Sequence, residues 1–396
     1  MTYVTFPGIS YRDITLPVPL NWSKPEGQSI TLFAREVVDP VRKNEDLPLL
    51  VFLQGGPGGK GPRPQNGGPV WLKTALKSHR VILLDQRGTG RSSPVEGRQM
   101  ERFATGEEGA DYLSFFLAES IIRDCEHLRK EVYGGRKWST LGQSYGGFLT
   151  LSYLSMAPHA LEACYVTGGL AGLDGTPEDV YERTVPHIAE KNRHYYARYP
   201  GDKEHVARIA DLLAGEDVLL PDGDRLTIRR LQTLGLAFGM KPGFEEVHWL
   251  LETALDDEGF LNDSFLSLVM AETSFATNPL FCALQEAIYQ QKPSGSNWAA
   301  QRERDKHPVF AETRRPLIFT GEMIFPWMFE EIRALRPSER RCKAWRKDKC
   351  LRAGMTQQLL PPMRCLWQPP SILMTCMSMR VCRSKPQDGS AISRHG

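Results

Sequence analysis

The hexapeptide Gly142-Gln143-Ser144-Tyr145-Gly146-Gly147 decides the fold of this 396-residue chain. It follows a short apolar run, residues 137–141, and opens a helix-like segment over residues 146–156. A serine between glycines at a strand-to-helix junction is the pattern of a nucleophile elbow. The glycines leave room for the strained turn, and N–H groups at the start of the helix point toward a developing oxyanion. Ser144 is therefore the candidate nucleophile, and the alternative is a tight turn that carries a surface serine.

Two further glycine-rich loops follow apolar runs upstream of Ser144. Gln54-Gly55-Gly56-Pro57-Gly58-Gly59 comes directly after residues 48–53, and its glycines allow the backbone to approach a substrate carbonyl. A phosphate-binding loop is the alternative, but no Lys-Ser or Lys-Thr follows in the required register. The other loop, residues 85–92, follows the run 80–84. Its Asp and Arg are expected to hold loops beneath the site rather than to react.

The order of apolar and amphipathic segments predicts an α/β layered core over residues 1–170. Short apolar runs that end in glycine turns alternate with helix-sized segments, which is typical of a mostly parallel sheet with helices on both faces. An antiparallel strand pair is expected at residues 13–18 and 29–34, and one long helix is expected over residues 110–132.

After Gly169 the pattern becomes helical, which predicts a cap inserted on the core over residues 171–337. The expected helices and the apolar return segment that follows them cover residues 176–199, 203–214, 244–255, 278–291 and 316–319. A third segment, residues 338–396, has a different composition and is expected to be a disordered tail.

Taken together, these loops resemble those of the prolyl aminopeptidase (proline iminopeptidase) family. The members of that family are serine peptidases of the α/β-hydrolase fold. The resemblance extends from about Tyr11 to Pro337. Besides the glycine loops and the Ser144 elbow, it includes Tyr165-Val166-Thr167-Gly168-Gly169, Asn297-Trp298-Ala299-Ala300 and Thr320-Gly321-Glu322-Met323-Ile324-Phe325-Pro326-Trp327. It implies an α/β-hydrolase core with an α-helical cap, and a serine aminopeptidase that releases N-terminal proline from peptides without a cofactor or a metal.

The resemblance also implies roles for individual residues. Ser144 would attack the prolyl carbonyl, while the N–H groups of Tyr145 and of a Gly55/Gly56 peptide would form the oxyanion hole. Glu286 and Glu322 match the cap carboxylates that recognise the charged substrate amine, beside an apolar slot for the pyrrolidine ring. Glu245-Glu246 is a weaker candidate for that role, and an isolated glutamate on a helix is more often only solvated.

The catalytic acid and base are not identifiable in this chain. The order in this fold is Ser, then Asp or Glu, then His, and both partners are expected after the cap. Eight histidines come too early for the base: His79, His127, His159, His187, His194, His205, His248 and His307. Only His395 follows Pro337, and it is the penultimate residue.

The composition of the segment after Pro337, and its translation in the adjacent frame, indicate that a shifted reading frame encodes it. It contains 12 Lys and Arg against 3 Asp and Glu, and five of the eight cysteines, whereas the rest of the chain contains 37 basic and 44 acidic residues. When back-translated and read in the adjacent frame, residues 362–370 permit Asn-Glu-Val-Pro-Val-Ala-Ala and residues 373–378 permit Asp-Asp-Met-Tyr-Val. Both strings occur around the acid strand of the family. The chain as written is therefore expected to lack the acid strand, the last strand and the terminal helix of the family. A genuine basic tail is the alternative.

The composition of the chain argues against nucleic-acid-binding and membrane-spanning proteins. The acidic body is a poor nucleic-acid binder, no apolar run is long enough to span a membrane, and no signal peptide is readable, so the cytoplasm is the expected location. Peptides with N-terminal proline are the expected partners. The alternatives are another capped hydrolase of this fold, such as an esterase or amidase, and a non-catalytic product of a frameshifted gene.

Overall fold

The computed structural model describes residues 2–65, 68–172, 175–290 and 295–347, together with the backbone of residues 373–376. In this described part the strands are β1 (Val4–Phe6), β2 (Ile9–Pro19), β3 (Ser29–Val38), β4 (Leu49–Leu53), β5 (Arg80–Asp85), β6 (Trp138–Gln143), β7 (Leu161–Thr167) and β8 (Leu373–Cys376). They form one sheet in the order β1-β2-β3-β5-β4-β6-β7-β8. The strands from β1 to β3 pair antiparallel, β3 is antiparallel to β5, and the pairs from β5 to β8 are parallel.

The strands and apolar runs predicted at residues 13–18, 29–34, 48–53, 80–84 and 137–141 correspond to β2, β3, β4, β5 and β6. All five residues of β4 are buried, as a strand covered on both faces requires. The predicted antiparallel pair is confirmed, and its register places Asp13 opposite Arg35 and Val18 opposite Ile30.

Helices cover both faces of the sheet, so the predicted α/β architecture is confirmed. Their bounds are α1 (Val70–Ala75), α2 (Gly97–Met100), α3 (Gly106–Ser114), α4 (Ala118–Tyr133), α5 (Tyr145–Met156), α6 (Pro177–Arg198), α7 (Asp202–Gly215), α8 (Ile228–Gln232), α9 (Gly243–Glu252), α10 (Asp263–Thr273), α11 (Pro279–Leu284), α12 (Ala299–Asp305), α13 (Met328–Glu331) and α14 (Glu339–Lys347). On one face Leu49 and Val51 join a core with residues of α4 and α5. On the other, Leu50 and Phe52 pack with Leu72 of α1.

Two predicted helices differ from the observed ones. The expected helix over residues 110–132 is divided into α3 and α4, and the Phe115 carbonyl between them accepts a hydrogen bond from Arg87 Nη1 at 2.9 Å. The expected helix over residues 278–291 ends at Leu284 and is followed by a 3-10 turn over Ala287–Tyr289. In the first case a tertiary contact uses a carbonyl that a longer helix would have kept.

The helices α6 to α12 lie between β7 and the apolar return segment, as the cap hypothesis expects. Thr176 begins α6 with a capping box that includes Asp179. The return segment 316–319 is not paired in the sheet but held by side chains: Tyr196 Oη donates to the Leu317 carbonyl at 2.6 Å, and Asn192 Nδ2 donates to the Phe319 carbonyl at 2.9 Å. The division at residues 170 and 337 stays a prediction, since one hydrophobic cluster runs through core and cap.

The segment after Pro337 departs from the expectation of disorder. Residues 339–347 form α14, which buries Cys342 and Arg346 one turn apart on the same face. A strand after this segment was also expected to be missing, yet β8 pairs parallel with β7, placing Leu373 opposite Ala163. The expectation of disorder is therefore wrong for residues 339–347, where burial of Cys342 and Arg346 by neighbouring elements outweighs the irregular sequence pattern. The absence of the family's acid strand with its Asp stays a prediction. His395 and the other tail residues lie outside the described residues.

Among the described residues, no helix is both long and apolar enough to cross a bilayer.

Candidate active site

Ser144 lies at the junction of β6 and α5 in a strained backbone conformation. Its φ is 53° and its ψ is −119°, a conformation that costs on the order of 1–3 kcal/mol for a residue with a side chain. Its N–H donates to the Thr167 carbonyl at 3.0 Å, and its carbonyl accepts from Gly147 N at 2.8 Å. A Cβ on Gly146 would collide with the Leu53 carbonyl. The side chain of Ser144 is exposed, so this turn presents a hydroxyl at the carboxyl edge of the sheet, as the elbow pattern predicts.

The glycine loop after β4 lies directly against the serine. A Cβ on Gly55 would be 2.8 Å from Ser144 Cβ and 2.9 Å from the Gln143 carbonyl oxygen, so only glycine permits this approach. Gln86 Nε2 donates to the Gln54 carbonyl at 2.7 Å and holds the start of the loop. The structure thus brings Gly55 and Ser144 together, and Tyr145 contributes the first residue of α5 beside them.

The loop after β5 is structural, as expected. Asp85 accepts from Gly61 N at 3.0 Å and from Arg91 N at 2.8 Å, and it pairs with Arg63. Arg87 is fully buried and contacts the Asp124 carboxylate at 2.5 and 2.7 Å. Burial raises the pKa of Asp124, an effect that Arg87 opposes. These pairs fix the loops beneath Ser144, since a buried ion pair tolerates little displacement.

Gln285 connects the two candidate carboxylates of the cap: it directly precedes Glu286 in the chain, and its side chain contacts Glu322. Gln285 Nε2 donates to Glu322 Oε1 at 2.8 Å and to Tyr289 Oη at 3.0 Å. Glu322 is open to solvent, yet the atoms around its carboxyl group desolvate it and raise its pKa. A group that is reachable from solvent but poorly hydrated is typical of a cleft wall.

Glu286 is fully buried and already has partners. Its carboxylate accepts from Ser296 Oγ at 2.5 Å and from Ala300 N at 3.0 Å, and it lies 2.5 Å from Arg346 Nη1. The weaker candidate Glu245 forms an ion pair with Arg198 at 2.6 Å.

A series of aromatic rings joins the serine to these carboxylates. Ring centroids are 5.9 Å apart for Tyr145 and Phe148, 6.1 Å for Phe148 and Tyr289, and 6.0 Å for Tyr289 and Tyr181. Desolvation raises the pKa of Tyr289 strongly, and the charges of Glu322 and then of Glu286 add to this shift. The charges of both carboxylates therefore act on Tyr289, whose ring contacts Phe148 of α5.

The cap also touches the glycine loop. Asn278 Oδ1 accepts from Phe281 N at 3.1 Å and begins α11, while its Nδ2 donates to the Pro57 carbonyl at 3.4 Å. Sequence reasoning missed Asn278 and Gln285. The Asn278-Pro279 pair is a helix-start signal, but no sequence signal indicates that Asn278 contacts the loop after β4.

Within the described ranges, no histidine is hydrogen-bonded to Ser144. Four of them have other partners: His79 contacts Ser78, His194 contacts Glu190, His248 contacts Asp202 and His307 contacts Glu303. That none of the early histidines is the base stays a prediction. The described residues also contain no group of three or more His, Cys, Asp or Glu side chains arranged to hold a metal ion.

Comparisons with known proteins agree with this geometry. A family model described as "alpha/beta hydrolase fold" matches residues 48–212. The chain is 45% identical over 333 residues to a proline iminopeptidase of Aeromonas sobria, covering 83% of this chain and 77% of that protein. It is 36% identical over 335 residues to a proline iminopeptidase of Aspergillus aculeatus, covering 81% and 74%. A tripeptidyl aminopeptidase of Streptomyces lividans is 27% identical over 173 residues, covering 36% and 32%.

The two iminopeptidase matches span most of this chain and about three quarters of each relative. Together with the sheet order, the elbow at Ser144 and the glycine loop against it, they show that the chain belongs to the proline iminopeptidase family of the α/β-hydrolase fold.

Proposed function

We propose that Ser144 is the nucleophile of a prolyl aminopeptidase reaction, in which its hydroxyl oxygen attacks the carbonyl carbon of an N-terminal proline. The observation that carries this assignment is the packing of Gly55 against the strained serine. It leaves backbone N–H groups and a nucleophilic oxygen around one small space, which is what acyl transfer requires.

The oxyanion of the tetrahedral intermediate would form between α5 and the glycine loop. Tyr145 N–H belongs to the first turn of α5, whose dipole favours negative charge at that end. The N–H of the Gly55/Gly56 region is the second donor proposed. One oxyanion donor of this kind is worth about 10²- to 10³-fold in kcat.

An aminopeptidase must also hold a charged amine at a fixed distance from the nucleophile. Glu322 is the exposed one of the two candidate carboxylates, and Glu286 is the second candidate for this role. Phe148 lies on the serine helix, and its ring contacts that of Tyr289. These two rings are the apolar surface proposed for the pyrrolidine ring. Four buried free cysteines, Cys125, Cys164, Cys282 and Cys342, support the cytoplasm as the compartment.

Hydrolysis of L-proline p-nitroanilide tests the assignment when it is compared with the N-acetylated anilide and with a simple acyl ester. In a chain whose residues after Pro337 are encoded in the adjacent reading frame, the expected substrate is the anilide with the free amine alone, and Ser144→Ala should abolish its cleavage while leaving the fold intact. Ser155→Ala is the matched control, because Ser155 lies on the same helix and only donates to the Leu151 carbonyl. Equal cleavage of the ester and the free-amine anilide would instead support a general esterase or amidase.

A further inference from the structure

The Glu286 carboxylate in the cap contacts three groups of this chain. Ser296 Oγ and Ala300 N come from the cap segment that precedes and begins α12. The third partner, Arg346, comes from the last turn of α14, far along the chain. A substrate ammonium can reach this carboxylate only if one of the three leaves, and Arg346 is the only cation among them.

Arg346 makes the contacts that a bound cation would make. Its guanidinium lies over the Trp298 ring, 4.3 Å from the centroid, and its Nη2 donates to the Cys282 carbonyl at 3.1 Å. Both Arg346 and Glu286 are almost completely buried. A buried carboxylate next to an aromatic face is a favourable site for a protonated amine.

The fit of Arg346 is nevertheless incomplete. Among the described residues, its Nε has no hydrogen-bond partner, and Nη1 approaches Glu286 without hydrogen-bond geometry. Tyr181 Oη, whose pKa is raised by burial and then by Glu286, is likewise without a partner in the described part of the chain. Buried polar atoms without partners cost free energy, so Arg346 gains less from this position than a cation whose donors were all paired, and a substrate ammonium competes against that reduced gain.

We propose that Arg346 is an intramolecular substitute for the substrate's terminal ammonium at Glu286, so that α14 competes with the substrate for one of the two cap carboxylates. This inference rests on the proposed function, in which Glu322 and Glu286 are the candidate carboxylates for the substrate amine. Glu322 stays open to solvent, while Glu286 is available only when Arg346 leaves.

The competition lowers the apparent affinity for an amine by the fraction of molecules in which Glu286 is free. If that fraction is about one tenth, the apparent dissociation constant rises about tenfold. Removing the guanidinium should restore the intrinsic affinity, because the buried carboxylate then lacks a cation and gains most from binding one.

The test is calorimetric binding of L-prolinamide to the full 396-residue chain, which requires no turnover. Arg346→Met should bind L-prolinamide about tenfold more tightly than the unmodified protein, and Glu286→Gln in the same chain should remove that gain. Lys343→Met is the matched control, because Lys343 lies on the same helix and pairs at the surface with Glu330 and Glu339. Tetrahydrofuran-2-carboxamide, which has the ring but no ammonium, should bind all forms equally weakly.

The outcomes separate this inference from the proposed function. Equal affinities of the unmodified protein and Arg346→Met, with a loss on Glu322→Gln, would overturn the role of Arg346 and leave the amine site at Glu322 in place. The absence of L-prolinamide binding in every form would overturn both. If Arg346→Met does not fold, Arg346→Gln, which keeps polar donors but no charge, should show the same gain, and its failure to do so would overturn the inference.

Discussion

At the scale of single residues, strain and close approach identify the reactive turn. Ser144 holds a positive φ although it is not a glycine, and it does so where Gly55 permits contact with its Cβ. Such backbone strain persists only where the surrounding structure enforces it. The strain should therefore be measurable as lost stability.

Ser144→Gly should raise the free energy of unfolding by about 1 kcal/mol, because glycine adopts this conformation without steric cost. Ser144→Ala should leave stability nearly unchanged, since its Cβ keeps the clash. Both variants should lose hydrolysis of the proline anilide. Urea unfolding curves of the three proteins measure the difference, and equal stability of the glycine and alanine variants would contradict the strain argument.

Glu322 should make the free energy of unfolding depend on pH, and the sign of that dependence follows from the environment of its carboxyl group. Desolvation raises its pKa above the usual 4.5 in the folded state, so the folded protein binds this proton more tightly than the unfolded chain. Stability is then lost as the pH rises through the window above the ordinary carboxyl pKa. Hydrogen bonding by Gln285 opposes the shift without reversing it.

Glu322→Gln should raise the free energy of unfolding near pH 7 and leave it unchanged near pH 4, where the carboxyl group is protonated in both states. The glutamine keeps an acceptor for Gln285 Nε2. Denaturant unfolding at the two pH values measures this, and Glu258→Gln, at an exposed loop position, is the control. A stabilisation of equal size at both pH values would show that the effect is not electrostatic.

At the scale of elements, α11 connects the cap to the oxyanion loop. It has only six residues, so it depends on its cap and its packing rather than on intrinsic helix stability. A Cβ on Gly58 would be 2.7 Å from Asn278 Oδ1, which shows how closely the helix start approaches the loop. Asn278 therefore has two separable roles: it caps the helix and it contacts Pro57.

Asn278→Ala should lower the free energy of unfolding by about 1 kcal/mol, because Phe281 N loses its acceptor. Asn278→Asp keeps the capping oxygen but not the donor to the Pro57 carbonyl, and it should be nearly as stable as the original protein. Thermal and urea unfolding compare the three forms. If the aspartate variant is as unstable as the alanine variant, the contact with Pro57 and not the cap is what stabilises α11.

At the scale of the whole molecule, the core is continuous but the described residues do not complete a catalytic triad. One hydrophobic cluster joins sheet residues such as Leu49 to cap residues such as Tyr195 and Phe238. Within the described residues, however, Ser144 has no histidine partner. Members of a catalytic triad act as a unit, so the loss of one member removes most of the rate.

The 396-residue chain should therefore hydrolyse the proline anilide at least about 10³-fold more slowly than a chain whose residues after Pro337 are encoded in the adjacent reading frame. It should also aggregate more readily, since its tail is basic and rich in cysteine. Side-by-side expression and steady-state kinetics decide this, with Ser144→Ala in both chains as the background. Equal rates would mean that the tail as written supplies a base.

Local patterns were sufficient for the parts of the fold that depend on neighbouring residues. The elbow at Ser144, the strand at residues 49–53 and the start of α6 at Thr176 follow from glycine spacing, apolar runs and a capping box. Each of these signals lies within a few residues of the feature it predicts, so a single sequence carries it.

Tertiary structure alone decided the contacts between distant segments. The family resemblance indicated Glu286 as a carboxylate for the substrate amine, but its pairing with Arg346 across sixty residues depends on how α14 packs against the cap. The same is true of α14 itself, whose irregular sequence becomes a helix because Cys342 and Arg346 are buried by other elements. Sequence by itself determined the family, the nucleophile candidate and the layered core, whereas packing determined which charges meet, because burial and ion pairing depend on neighbours that no local pattern specifies.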